Sequence, residues 1–138
     1  MPPRNTRTGQ VFEDSVLASL KFGGYEINTQ VKVGTRPGGG KHWVDIVASK
    51  NERDILISMK WQQSSGTAEQ KVPYEFMSLA KALSDNPDLE GAYIVLGGTG
   101  WTKKDFFIDE LHDWVNTDHH VRVIRFEDFM AKANKGNL

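Results

Sequence analysis

Two charged residues stand where strands should be apolar. Asp45 lies in the middle of WVDIVAS and Lys60 near the end of DILISMKWQ. In the second segment Ile55, Ile57, Met59 and Trp61 alternate with Leu56, Ser58, Lys60 and Gln62, the period of a strand. The intervening KNERD reads as a tight turn, so the two segments form an antiparallel hairpin and the aspartate and lysine can share one face. Aspartate is disfavoured inside a strand. A charge on a sheet face covered by helices is costly unless it is paired or holds a metal. Acidic side chains meeting an ammonium group in such a place can grip a divalent cation. The plainer alternative is a solvated edge hairpin whose lysine discourages aggregation. The face opposite Lys60, with Ile55, Ile57, Met59 and Trp61, is apolar, which favours a sheet covered on both faces.

More carboxylates lie on the helices that would cover it. Glu13 borders the stripe Phe12, Val16, Leu20 of an amphipathic helix over TGQVFEDSVLASLKFGG, with Thr8 as N-cap and Gly23-Gly24 as its stop. A second helix is predicted over TAEQKVPYEFMSLAKALSD, with Pro73 marking a kink or a start. Its Glu69 precedes Val72 by three positions, and Glu75 sits at the stripe's edge between Val72 and Leu79. YEINTQVKV is a half-exposed strand, GTRPGGGKH a glycine-rich basic loop, and AYIVLGG a short continuous apolar run typical of a central strand. TKKDFFIDELHDWV reads as one helix with a capping box from Thr102 to Asp105. HVRVIRF is the last strand and EDFMAKAN a closing helix. The order α-β-β-β-α-β-α-β-α implies an α/β fold, a mixed sheet flanked by helices. Residues 1–138 are expected to form one domain, with 1–8 a flexible basic arm.

An aspartate in one strand, a hairpin, then a polar residue and a lysine two apart in the next strand resembles the PD-(D/E)XK nuclease superfamily. The αβββαβ order is similar to that superfamily's common core. The resemblance spans roughly residues 9 to 126. It implies that Asp45 is the metal-binding aspartate, that Ser58 and Lys60 in SMK stand for (D/E)-x-K, and that Gln62 is the glutamine that often follows the lysine. Glu13 resembles the helical glutamate of branches that include Holliday-junction resolvases. Val44 replaces the proline, and Ser58 replaces the second acidic residue, which removes a charge from the site. Some restriction endonucleases similar in pattern take that glutamate from the following helix. Glu69 is favoured for this by its place near the helix start, Glu75 by spacing, and Glu13 can supply the charge instead.

The implied activity is phosphodiester hydrolysis with Mg²⁺, or Mn²⁺ in its place, because hard oxygen ligands select such ions. Asp45 with Glu13 or Glu69, and the Met59 carbonyl, would hold the ion. Lys60 would contact the scissile phosphate and orient the attacking water, with Ser58 and Gln62 as hydrogen-bonding helpers. For DNA contact the basic residues Arg4, Arg7, Lys32, Arg36, Lys41 and His42 suit phosphate, although a flexible solvated arm and loop would carry the same residues. GGTGWTKKD would either face phosphate at a helix start or be a simple capped turn, with Trp101 a staple or a stacking group. His119 and His120 read as solvated.

The remaining composition narrows the classes. There is no cysteine, which excludes disulfides, thiolate metal sites and cysteine nucleophiles. A formal net charge of −1 is unlike a non-specific coat for nucleic acid, usually strongly basic, but still permits a specific binder with clustered basic groups. No apolar run approaches the ~20 residues of a membrane span, and MPPRNTRTGQ lacks the apolar segment of a secretory signal, so a cytoplasmic protein is expected. The expected function is a Mg²⁺-dependent endonuclease acting on double-stranded DNA as a homodimer, restriction or homing-like. The alternatives are a resolvase of branched DNA and a catalytically inactive DNA-binding module of the same fold.

Overall fold

A computed structural model describes residues 7–115 and 117–138. Five strands pair in sequence order: β1 (Glu26–Thr35), β2 (Lys41–Lys50), β3 (Arg53–Trp61), β4 (Leu89–Gly97) and β5 (Val121–Arg125). β2 is antiparallel to both β1 and β3 and joined to each by a hairpin. β3, β4 and β5 are parallel, as helical crossovers require. The fold is therefore α/β with a mixed sheet, as the segment order implies.

Helices cover both faces. On one side α1 (Arg7–Phe22) and α5 (Phe126–Asn134) bury Phe12, Val16, Leu20, Phe129 and Ala133 against Ile46, Ala48, Ile55, Ile57, Tyr93 and Val95. On the other α2 (Ala68–Asp85), α3 (Lys104–Asp109) and α4 (Leu111–Trp114) bury Val72, Phe76, Leu79, Leu83, Phe107 and Leu111 against Val44, Leu56, Ala92, Ile94 and Leu96. β4 contributes to both cores, which is why its sequence is a continuous apolar run rather than an alternating one. No helix among the described residues is long and apolar enough to cross a membrane.

Four expectations need correction. The helix predicted over TKKDFFIDELHDWV is two short helices broken at Glu110. Its capping box is absent: Lys103 takes the cap position with no side-chain cap bond, and Asp105 pairs with Arg125 at 2.6 Å. Pro73 does not start α2 but lies inside it, where its missing N–H removes one bond of the helical ladder. Arg7 and Thr8 belong to α1 rather than to a flexible arm, and residues 1–6 lie outside those described.

The loops beyond β3 and β4 are locked together. Gln62 N–H donates to Gly97 O at 3.0 Å and Gly100 N–H to Gln62 O at 2.8 Å. The Gln62 side chain donates to Gly100 O at 2.8 Å and accepts from Ala68 N–H at 3.1 Å. The latter contact caps α2 from outside, since Thr67 makes no cap bond of its own. Gly98 has φ +93 and a Cβ there would run into the Gln62 main chain. Gly98→Ala is therefore expected to lower the unfolding free energy by about 2 kcal/mol or more. Urea denaturation measures it, and a loss below about 0.5 kcal/mol would contradict the close packing of this joint.

Candidate active site

Pairing between β2 and β3 runs from Lys50↔Arg53 to Ile46↔Ile57 and stops there. Beyond that point β2 pairs only with β1, and β3 only with β4. Asp45 is the first β2 residue in the fork. Its Oδ2 accepts the Met59 N–H at 2.6 Å, so a side chain satisfies a donor that has lost its strand partner. β2 also rolls here. Ile46 and Ala48 enter the α1 side of the core and Val44 the α2 side, although residues two apart in a regular strand share a face. Across on β1, Gln30 lies between the pairs Thr29↔Ile46 and Val31↔Val44 with φ 52. That left-handed conformation costs of order 1 kcal/mol in a non-glycine residue. Its side chain hydrogen-bonds Asp45.

The electrostatics of the fork come from three elements. Burial pushes the Asp45 carboxyl above its ordinary range and Glu75 adds to this, against the Met59 N–H, Lys60 and Gln30. Glu13, exposed on α1, is raised by partial burial and then by the fields of Asp45 and Asp14. Asp45 thus disfavours the charge of a carboxylate on a separate element, and a cation between them would relieve it. Lys60 is half-buried and follows Leu56 and Ser58 on the α2 side of β3. Its charge acts on both Asp45 and Glu75.

Glu75 is the buried end of this network, only 3% exposed. Arg36 donates to its Oε1 at 2.6 Å and His42 Nε2 lies 3.2 Å from its Oε2. Burial pushes the carboxyl up, but His42, Arg36 and Lys60 outweigh it and hold the pKa at about 2. Arg36 also donates to Ser78 Oγ at 3.1 Å and stands over the Tyr74 ring. His42 is fully buried, and its Nδ1 has no hydrogen-bond partner among the described residues.

The sequence-derived candidates therefore divide. Asp45 is coupled electrostatically to Glu13 and to Lys60, with Ser58, buried at 2% exposure, one residue before Met59. Glu69 does not join them. Its carboxylate is directed to the start of α3, accepting Thr102 N–H, Thr102 Oγ1–H and Lys103 N–H at 2.5, 2.7 and 2.7 Å. The Thr102 hydroxyl in particular holds its pKa below the ordinary range. Gln62 has both ends of its amide on main-chain groups. Arg36 and His42 turn inward to Glu75 instead of lining a basic surface, whereas Lys32 and Lys41 are exposed. Arg4 and the Arg7 side chain lie outside what is described. The loop after β4 offers no free amides at Thr102 and Lys103, and Trp101 donates to Gly97 O at 2.7 Å. His119 and His120 are exposed, as expected.

Sequence reasoning missed the Arg36–Glu75–His42 contact. The one available signal was Glu75 at the edge of an apolar stripe, because a strand residue and a loop residue meet it only after α2 crosses the sheet.

Among the described residues no three His, Asp or Glu side chains form a group able to hold a metal. The donors present still fit Mg²⁺, which keeps several waters and commonly takes only one or two carboxylates.

The low Glu75 pKa has a pH consequence. Its stabilisation is fully present above about pH 4.5, the ordinary value, and is lost as pH falls towards about 2. Glu75→Gln is expected to lower the unfolding free energy by about 3 kcal/mol at pH 7, with the gap to the parent roughly halved at pH 3. Chemical denaturation at the two pH values measures this, and a gap independent of pH would remove the ionised carboxylate from the core.

Residues 4–137 match a family model described as a PD-(D/E)XK nuclease superfamily domain. The fold is similar to the small subunit (R.BspD6I2) of the heterodimeric restriction endonuclease R.BspD6I, with TM-score 0.51, 13% identity, and coverage of 90% of this chain and 66% of that one. It is also similar to a protein of unknown function, AF1548, with TM-score 0.48, 15% identity, and coverage of 84% of this chain and 58% of that one. The chain thus spans less than two thirds of the length of either structure. No curated protein matches the sequence.

Proposed function

Because the chain belongs to the PD-(D/E)XK nuclease superfamily, we propose that it is a metal-dependent DNA endonuclease whose site lies in the fork between β2 and β3. The observation that carries this reading is Asp45, fastened to the Met59 N–H at 2.6 Å, lying in the field of Lys60 and raising the Glu13 carboxyl on α1. Asp45 and Glu13 would hold Mg²⁺ (Mn²⁺ as a substitute), which would supply polarisation of the phosphate and a more acidic water. Ser58 cannot supply the second carboxylate, and Glu13 takes that part. Lys60 meets the scissile phosphate and orients the attacking water. Its charge acts on Asp45 and Glu75 alike.

The likeness to a restriction endonuclease subunit supports cleavage of linear double-stranded DNA, in a restriction or homing-like mode. Glu13 supports the second reading, a resolvase of four-way junctions. One fork cuts one strand, so a homodimer supplies the second cut. An inactive DNA-binding module of this fold is favoured by Ser58 and by the small number of carboxylates at the fork.

Incubation with plasmid and synthetic four-way junction DNA in Mg²⁺, read on a gel, distinguishes these. The chain is expected to nick or cut. Asp45→Asn and Lys60→Ala are expected to lower the rate by about 100-fold or more, with DNA binding retained in Lys60→Ala. Calorimetry with Mn²⁺ should show binding that Asp45→Asn abolishes. Cleavage at the parent rate by either variant would remove the fork from the chemistry. Absence of both cleavage and Mn²⁺ binding in the parent would leave the inactive module.

A further inference from the structure

Trp43 has no role in either core. It is 50% exposed, two residues before Asp45 on β2, and pairs across β1 with Lys32. Its neighbours His42 and Val44 are buried, so the indole stands on the opposite side of the hairpin from α2. Burial does not hold a large aromatic in this position, and an exposed strand end gains nothing in solubility from it.

The surroundings of Trp43 have one sign. From residue 27 to residue 44 the sequence contains no aspartate or glutamate, yet it contains Lys32, Arg36 and Lys41. Arg36 is taken by Glu75 at 2.6 Å. Lys32 and Lys41 are exposed and form no ion pair among the described residues. This occurs in a chain of net charge −1, so the positive charge is local. The tip of the hairpin adds Gly38, Gly39 and Gly40, where an added Cβ would meet nothing within 4 Å. Unlike Gly98, these glycines are not crowded by the protein, and the tip projects into open space.

The hairpin also continues directly into the fork. Gln30, which hydrogen-bonds Asp45, is two residues from Lys32, and Asp45 is two residues from Trp43.

We propose that the far half of the β1–β2 hairpin is the DNA-contacting arm, with Trp43 laid against a base or sugar near the scissile phosphate and Lys32 and Lys41 on neighbouring phosphates. It rests on the nuclease reading and adds to it the surface that presents DNA to the fork. Charge complementarity selects a polyanion, and an exposed ring among cations is the arrangement by which single or displaced bases are held. Phosphate contacts set the register of the strand, while the indole contributes the part that salt does not screen.

The test is fluorescence anisotropy of a labelled duplex without divalent metal, so that binding is read apart from cleavage. Trp43→Ala is expected to weaken binding by about tenfold, while Trp43→Phe stays within about threefold of the parent. Lys32→Glu with Lys41→Glu should weaken binding and flatten its salt dependence by about two phosphate contacts. Trp114→Ala, which removes another exposed tryptophan (75% exposed), should bind as the parent does. Parent-like binding by Trp43→Ala would overturn the proposal while leaving the nuclease reading intact. So would weakened binding accompanied by loss of a dimer in sedimentation, which would assign Trp43 to a second copy of the chain. A parent that neither binds duplex nor cuts it would remove both readings together.

Discussion

The bond from the Met59 N–H to the Asp45 carboxylate is where sheet geometry and site chemistry meet. An antiparallel pair normally satisfies each main-chain donor from the neighbouring strand. Here the pairing ends at Ile46↔Ile57, and the next needs are met by a side chain at 2.6 Å. Had the ladder continued, Asp45 would face one side of a closed sheet. Because it opens, the carboxylate is fixed between two strands that diverge to other partners. The roll of β2 that sends Val44 to one core and Ile46 to the other follows from the same opening, as does the strained Gln30 on β1.

A fork of this kind collects charge, and the surrounding elements keep that charge from being ruinous. The charge of Lys60 acts on both Asp45 and Glu75. Glu75 is in turn paired with Arg36 and in hydrogen-bonding contact with His42. Buried ion pairs of this sort seldom add much net stability over apolar packing, but breaking one is costly. Their use here is geometric. They tie the base of the glycine-rich loop, the start of β2 and the middle of α2 to the charge environment of Lys60. Glu69 performs an unrelated service, capping α3 from α2 and closing the loops around Gln62.

The fold was legible because its signals are local. Period-two alternation in β3, the apolar run of β4, and the stripe Phe12, Val16, Leu20 each report burial of one element's own surface. Asp45 and Lys60 were legible for a related reason: a charge inside an apolar strand is anomalous by itself. Glu69 misled because position in a helical stripe gives a face but not the height at which a neighbour passes, and its neighbour is the start of α3. Arg36 and His42 misled because a basic residue near glycines looks the same in sequence whether it meets solvent or a buried carboxylate. The missing capping box has the same origin, since a distant glutamate replaces the local cap.

What the sequence determined by itself is the set of elements and the residues that are out of keeping with them, because hydrophobic period, turn chemistry and misplaced charge are properties of neighbouring residues along the chain. What only the tertiary structure decided is which of four inward or bordering carboxylates serve the fork and which serve other tasks. That choice depends on where β2 leaves β3 and on which loops cross α2. Such contacts join residues tens of positions apart, 33 between His42 and Glu75 and 39 between Arg36 and Glu75, and no local pattern encodes their distances.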